Sequence, residues 1–388
     1  MIRALTLTIV AAIAPLSAGP LFAQGPEAAA RTAFSDDVHA SVGLTCTACH
    51  AAQPTPAAPK RTQIATLCAK CHGDAAYMRQ FDPQVRVDQL AQYVTSVHGQ
   101  QMAKGEDRVA TCSDCHGAHG IKRVGDARAP VAPPNVAHTC ARCHADAARM
   151  KPFGREPTPL ADWSASVHAT ALLRRGDRSA PTCNTCHGSH GAVPPGVNQV
   201  ANVCSQCHAR EADLFRASPK KAIFETIGQA ECLACHGNHR IEPPQDTSIG
   251  IGQGAVCAMC HDSSTNGSKT ILEIRQQLDT LAAAITNADG VLTRADRAGM
   301  LVDEGRAALQ QAREQQINAR VMVHAFAGAP FVEVATAGFA AARKAETSGI
   351  QAMQELQYRR RGLGVATAVI LGFLITLWIK IRSLPASE

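Results

Sequence analysis

The sequence predicts a protein that is mostly α and irregular, built in three parts. A compact region of sparse secondary structure comes first, then a long helical hairpin or stalk, then one C-terminal transmembrane helix. Three observations carry this reading. All sixteen cysteines fall between Cys46 and Cys260, where Gly and Pro turn signals leave room only for short helices. Apolar residues then recur close to every 3.6 positions, at Ile271, Ile274, Leu278, Leu281 and Ile285. Last, Gly362 to Ile379 is a run of 18 uncharged, apolar residues, within the range for a single membrane helix.

Residues 1–23 read as a secretory signal peptide. Arg3 is its one early charge, Pro15 and Pro20 break the apolar stretch, and small residues surround Ala23.

The first folded part is expected over 24–268, and its cysteines define it. Every one belongs to a C-x-x-C-H motif: Cys46 and Cys49, Cys68 and Cys71, Cys112 and Cys115, Cys140 and Cys143, Cys183 and Cys186, Cys204 and Cys207, Cys232 and Cys235, Cys257 and Cys260. Zinc sites and redox dithiols also use C-x-x-C, but neither requires a histidine immediately after the second cysteine. Haem attachment does: two thiols reach two vinyl groups of one porphyrin, and the adjacent imidazole becomes an axial iron ligand. The pattern predicts eight covalently bound c-type haems with proximal ligands His50, His72, His116, His144, His187, His208, His236 and His261. It also explains the composition. Aromatic residues make up only 4%, so macrocycles rather than side chains must fill the interior of this compact multihaem cytochrome domain.

The motifs repeat. "SVHG" (96–99) precedes "CSDCHGAHG", and "SVHA" (166–169) precedes "CNTCHGSHG". The first unit keeps "DVH" at His39 but has no histidine after its first motif. The last keeps "CLACHGNH" but lacks the upstream histidine. Eight histidines remain beyond the proximal ones: His39, His98, His119, His138, His168, His190, His239 and His324. Eight spare imidazoles for eight irons predict bis-histidine ligation. His119 lies too close to His116 to reach the far face of the same haem, so it is expected at a neighbour's iron. An iron filled from both sides suits electron transfer and leaves no vacancy for a substrate.

Over about residues 35–262 the chain resembles the membrane-attached multihaem c-type cytochromes, specifically the class III-like group with "CxxCHGxH" segments. The octahaem count is also similar to that of the hydroxylamine oxidoreductase and tetrathionate reductase relatives. The resemblance implies low-potential bis-histidine haems in stacked and perpendicular pairs. Catalytic members of those families mark one haem with a lysine ligand or a tyrosine cross-link. No C-x-x-C-K occurs here, and none of Tyr77, Tyr93 and Tyr358 is obviously placed for such a link. Quinol-oxidising relatives carry their membrane helix at the N-terminus, whereas here it is C-terminal.

Residues 269–358 hold no haem motif and read as the helical hairpin or stalk. Break signals at "NADG" (287–290) and "AGAP" (327–330) predict helices near 270–286, 291–326 and 331–380. The transmembrane segment, 359–382 with its flanks, follows Arg359, Arg360 and Arg361. Trp378, Lys380 and Arg382 mark its far end, and 383–388 forms a cytoplasmic tail. The charge bias opposes the positive-inside rule, but that rule is weak behind a large exported domain. The expected location is therefore the cytoplasmic membrane, single-pass, with haems on the periplasmic side.

The formal charge of +6 reverses in sign once two propionates per haem are counted. No basic patch interleaved with aromatics suggests nucleic acid. The expected role is electron transport in anaerobic respiration. Its partners would be an inner-membrane quinol-oxidising protein or b-type cytochrome, a periplasmic redox protein and membrane lipid. No catalytic residue is predicted. The alternative is a reductase of nitrite, hydroxylamine or a sulfur oxyanion at one open haem.

Overall fold

The computed structural model describes residues 26–50, 58–196 and 199–383. The expected signal peptide and the tail residues 384–388 lie outside them. Helices are the only regular elements among the described residues. The chain divides into two units, one comprising residues up to Arg142 with Ser189–Ala192, the other Cys143–Gly188 with Val193 onward. The division passes through the fourth C-x-x-C-H motif.

From residue 26 to His261 the helices are short, and the longest, Arg61–His72 and Pro133–His144, have 12 residues each. Burial shows why nothing longer forms. The largest fully buried side chains of this stretch are Ser96 and Ser166, while Phe331, Leu278, Leu281, Leu292 and Leu309 hold that position further along the chain. Leu172, Trp163, Met150 and Phe215 are also buried, at 3–8% exposure, but no described side chain larger than serine is fully enclosed there.

Within the second unit, three long helices pack together: Ser268–Arg297, Asp303–Met322 and the first half of Gly328–Arg382. The seam of the first is a heptad series, Ile274, Leu278, Leu281, Ile285, Ala288, Leu292 and Ala295, each no more than 7% exposed. This seam corrects the expected break at 287–290. A helical glycine costs about 1 kcal/mol relative to alanine, less than is gained by burying Ala288 and Leu292 fully on either side of Gly290. The chain instead turns after Ala298, where Gly299 adopts φ +81. The result is a three-helix bundle rather than a hairpin. Arg306 and Arg313 both bond Asp289 across it, at 2.9 and 3.1 Å. The second turn lies where "AGAP" placed it, with the third helix starting at Gly328.

The third helix runs 55 residues, about 80 Å at 1.5 Å per residue. Its last third is exposed and apolar: Leu363, Val369, Phe373, Leu374 and Trp378 are all more than half exposed. An 18-residue window there has a mean hydropathy of 2.2 and no buried residue. Among the described residues this is the one helix long and apolar enough to cross a membrane. Arg382 folds back over the Trp378 ring at 4.3 Å, an arrangement suited to an interface.

The third helix meets the first through small residues. A Cβ added at Gly349 would lie 2.8 Å from Val291 Cγ1 and 3.2 Å from the Leu292 backbone nitrogen. Gly349→Leu is therefore expected to lower stability by about 1–3 kcal/mol, read as a drop in the thermal midpoint of the helical circular-dichroism signal.

Candidate haem sites

Each C-x-x-C-H motif forms one helical turn. The histidine amide bonds the carbonyl of the first cysteine, at 2.9 Å for His50, His208 and His261 and 3.0 Å for His236. An i to i+4 closure puts the first thiol and the imidazole on one face. Two of the turns carry a capping box. The Thr111 amide donates to Asp114 at 2.7 Å, and the Thr182 amide donates to Thr185 at 3.1 Å. Gly117, Gly188 and Gly237 follow the histidines of the third, fifth and seventh motifs at φ +90, +85 and +70, a region that disfavours side chains. There the chain leaves the helix sharply, which frees the histidine two residues later from its own motif.

Those freed histidines stack on the proximal histidines of earlier motifs. His119 stacks on His50 with ring centroids 6.0 Å apart, His190 on His116 at 6.1 Å, and His239 on His187 at 6.0 Å. In each case the third motif of a consecutive trio supplies the ring that faces the first. The seventh motif has no ninth to draw on. Its His236 faces His324 at 6.0 Å, brought in from the turn between the second and third bundle helices. His39 faces His72 at 5.9 Å, and His168 faces His208 at 6.4 Å.

These spacings fit an iron between the rings. A metal–imidazole bond is about 2 Å, so two bonds in line plus two ring radii separate the centroids by about 6 Å. The protonation pattern agrees. His39, His187 and His324 each have Nδ1 beside an acceptor, namely Asp37 Oδ1 at 2.9 Å, the Val193 carbonyl at 3.2 Å and the Val321 carbonyl at 2.9 Å. An Nδ1–H held this way leaves the Nε2 lone pair free for metal. Burial first, then the facing imidazole, holds His72, His116, His168 and His236 below the ordinary value of 6.5. These surroundings favour the neutral ring, the form a metal ligand needs.

A further repeat carries several of the facing rings, the one seen in the sequence as "DVH", "SVHG" and "SVHA". His39, His98 and His168 occupy the second position of the short helices Val38–Ser41, Val97–Ala103 and Val167–Arg174. The N-caps Asp37, Ser96 and Ser166 are nearly inaccessible, and each side chain accepts a first-turn amide. An aromatic residue stands three positions before each cap, and its carbonyl takes the cap amide: Phe34 and Tyr93 at 3.0 Å, Trp163 at 2.9 Å. The Val38, Val97 and Val167 amides donate onward to Ile121, Ala192 and Ile241 at 2.8, 3.1 and 2.9 Å. Those acceptors each lie two residues beyond the freed histidine of the following unit.

Two sequence-predicted ligands stand apart. His138 is exposed on the helix Pro133–His144, and among the described residues no ring faces it. His261 faces an amine, Lys220 Nζ, 2.8 Å from its Nε2. Neither His98 nor His144 is without a partner.

The thiols of successive motifs lie near one another. Cys68 and Cys112, the first thiols of the second and third motifs, shift one another's titration, Cys68 upward and Cys112 downward, as do Cys232 and Cys204, the first thiols of the seventh and sixth. The second thiols of the same motifs, Cys71, Cys115, Cys207 and Cys235, lie outside those two pairs. The reason is helical geometry: three residues on, a side chain points about 60° away round the helix, so only one thiol of a turn can meet the next motif. Cys71, Cys115 and Cys143 are half-buried, whereas Cys207 and Cys235 are exposed, as are Cys49, Cys186 and Cys260. Among the described residues, no three of histidine, cysteine, aspartate and glutamate gather as a cage for a bare ion. Each predicted site thus offers a thiol pair for attachment and ring nitrogens for iron, a set of donors that suits a porphyrin. Groups carried on the paired thiols would be neighbours.

Repeated C-x-x-C-H turns with imidazoles set opposite them define a c-type cytochrome with several haems. The cytochrome c3 family matches residues 38–145 and 175–262, together half of the chain, and the protein belongs to that family. It is a multihaem electron-transfer protein whose haems are bound covalently. No curated protein and no solved structure matches the chain.

Asp114 shows what holds a motif turn in place. Arg61 clamps it at 2.8 and 3.3 Å while also donating to the Val109 and Asp107 carbonyls, both at 2.8 Å. Burial pushes the Asp114 carboxyl up, but the bonds from Arg61 and Thr111 outweigh it and hold it below its ordinary 3.8. A lowered pKa stabilises the fold above the unfolded value, and the benefit fades as pH falls through the folded value. Asp114→Asn is therefore expected to melt below the natural protein at pH 7. The two melting curves should converge in acid, below pH 3.8.

Proposed function

We propose that this protein is an octahaem cytochrome c anchored by its C-terminal helix, with its haems on the periplasmic side of the cytoplasmic membrane. It carries electrons between a quinol-oxidising membrane partner, such as a b-type cytochrome, and a soluble acceptor or terminal reductase. The observation that supports this most is the set of six imidazole pairs at 5.9–6.4 Å, each joining a proximal histidine to one from another segment. Ligands on these irons are then His50 with His119, His72 with His39, His116 with His190, His187 with His239, His208 with His168, and His236 with His324. His98, in the same capped register as His39 and His168, takes the same role.

When bound, the haems supply one-electron iron chemistry; the chain supplies attachment, ligands and spacing. Both thiols of a motif serve attachment, so Cys71, Cys115 and Cys207 carry thioether links beside Cys68, Cys112 and Cys204. Imidazole from both sides leaves these irons no position for a substrate, which favours conduction over the reductase alternative. Backbone bonds between units, such as those from the Val38, Val97 and Val167 amides, hold the sites together. The exposed apolar helix gives the haem region a fixed attachment to lipid, where a quinol-oxidising partner resides.

Two outcomes follow. Pyridine haemochrome analysis with intact mass is expected to give eight haems per chain. The dithionite-reduced protein is expected to bind no carbon monoxide; a stoichiometric carbon monoxide complex, or turnover of nitrite, would replace conduction with catalysis. Asp37 offers a finer test. Its Oδ1 accepts from His39 Nδ1 while Oδ2 accepts the Ile121 amide at 2.8 Å. A carboxylate partner makes an imidazole a stronger donor to iron, so Asp37→Asn is expected to raise one reduction potential in a spectroelectrochemical titration and leave haem content unchanged.

A further inference from the structure

Lys220 lies where no histidine does. It opens the helix Pro219–Ile227 at the second position, behind the N-cap Ser218, whose Oγ accepts the Lys220 amide at 3.2 Å. Ser218 is 8% exposed, and its own amide bonds the carbonyl of Phe215, three residues earlier, at 3.0 Å. This is the construction found at His39, His98 and His168, feature for feature: an aromatic residue, a buried cap three positions on, and the presented side chain two positions after that. The fourth unit, which lacks an upstream histidine in sequence, has Lys220 in that place. One difference is explained by position. The first three helices begin with a valine whose amide reaches the following unit, whereas the fourth begins with Pro219, which has no amide and no unit to meet.

The partner is also the expected one. His39 and His168 face proximal histidines, of the second and sixth motifs, and Lys220 faces His261, of the eighth. Its amine lies 2.8 Å from His261 Nε2, while His261 Nδ1 lies 3.3 Å from Thr265 Oγ1. The ring therefore presents its metal-binding nitrogen to the lysine. A lysine placed only for charge pairing would take a carboxylate, and two are at hand. Both Glu225 and Glu231 bind the neighbouring Lys221 instead, at 2.9 and 2.5 Å, and among the described residues Lys220 forms no ion pair.

We infer that Lys220 is the sixth ligand of the haem attached at Cys257, Cys260 and His261, its amine standing where imidazole stands in the earlier units. The inference rests on the octahaem reading, since it requires a haem on the eighth motif. Two nitrogens on one metal sit about 4 Å apart at bonds of about 2 Å, a little wider than the contact seen here, and the flexible four-carbon stem supplies the difference. On binding, the ammonium releases one proton to solvent and its nitrogen lone pair fills the iron. Since axial-ligand identity tunes haem potential, the amine sets this haem apart from its imidazole-ligated neighbours. His138 is then not needed as a ligand.

The test uses the full-length, haem-loaded protein in detergent, with electron paramagnetic resonance and near-infrared magnetic circular dichroism on the oxidised state. The natural protein is expected to show one histidine–amine haem per chain. Lys220→His should convert that signature to bis-imidazole without changing haem count. Lys220→Ala should yield one high-spin haem and bind one carbon monoxide per chain when reduced, while His138→Ala should leave every spectrum unaltered. The inference is overturned if Lys220→Ala leaves the spectra as they were, or if His138→Ala produces the high-spin signal. Peptide mass spectrometry separates that result from failure of the octahaem reading, which would appear as Cys257 and Cys260 carrying no haem.

Discussion

An iron in a porphyrin takes its two axial ligands from opposite faces, and one turn of helix can supply only one of them. The rest of the haem region follows from that geometry. A C-x-x-C-H turn places its first thiol and its imidazole on a single side, so the opposing nitrogen must come from another part of the chain. In the proposed ligation it comes by two routes. One is the sharp glycine exit after a motif, which sends His119, His190 and His239 back to earlier motifs. The other is a short capped helix that presents His39, His168 and Lys220 to a later one. On that proposal, contacts between distant segments are made at the metal, and the polypeptide needs little apolar interior of its own.

That division of labour accounts for the contrast between the two kinds of architecture in one chain. Up to His261, order is carried by caps, by single turns and by buried serines, each worth about 1 kcal/mol. Beyond Gly267, order is carried by a heptad seam whose members are almost fully buried. The two styles meet in the second unit. Arg320 holds Asp246 at 2.8 and 2.9 Å, and Phe326 packs on Phe215 at 6.1 Å. His324 arrives at His236 from between these anchors, so the bundle supplies a ring to the haem region as well as the helix long and apolar enough to cross a membrane.

The sequence made some of this legible and hid the rest for physical reasons. The attachment motifs were plain because haem chemistry fixes every residue of the pattern. The unequal surroundings of the two thiols, Cys68 against Cys71 or Cys204 against Cys207, were hidden because they depend on which motif lies alongside. The long apolar helix was plain because its 18 uncharged residues run unbroken in the sequence. The "NADG" break was misread because local turn propensity is weak against a buried seam passing through Ala288 and Leu292. Lys220 escaped notice because counting imidazoles against irons came out even, which left no iron in want of another donor. The usable signal was positional: Phe34, Tyr93, Trp163 and Phe215 each precede the presented side chain by five residues. A rule based on residue type overlooks an amine where a rule based on register finds it.

The amides of Val38, Val97 and Val167 each hand a hydrogen bond to the following unit, and Pro219 has none to give. A donor that always points forward makes the junctions interchangeable: every unit but the last ends in the same open grip, which whichever segment comes next can fill. Repeating a whole module in frame would thus give each new leading amide its acceptor, since the bond is set by register and not by the identity of the segment that follows. The proline is the stopper: the helix it opens has no leading amide to hand on.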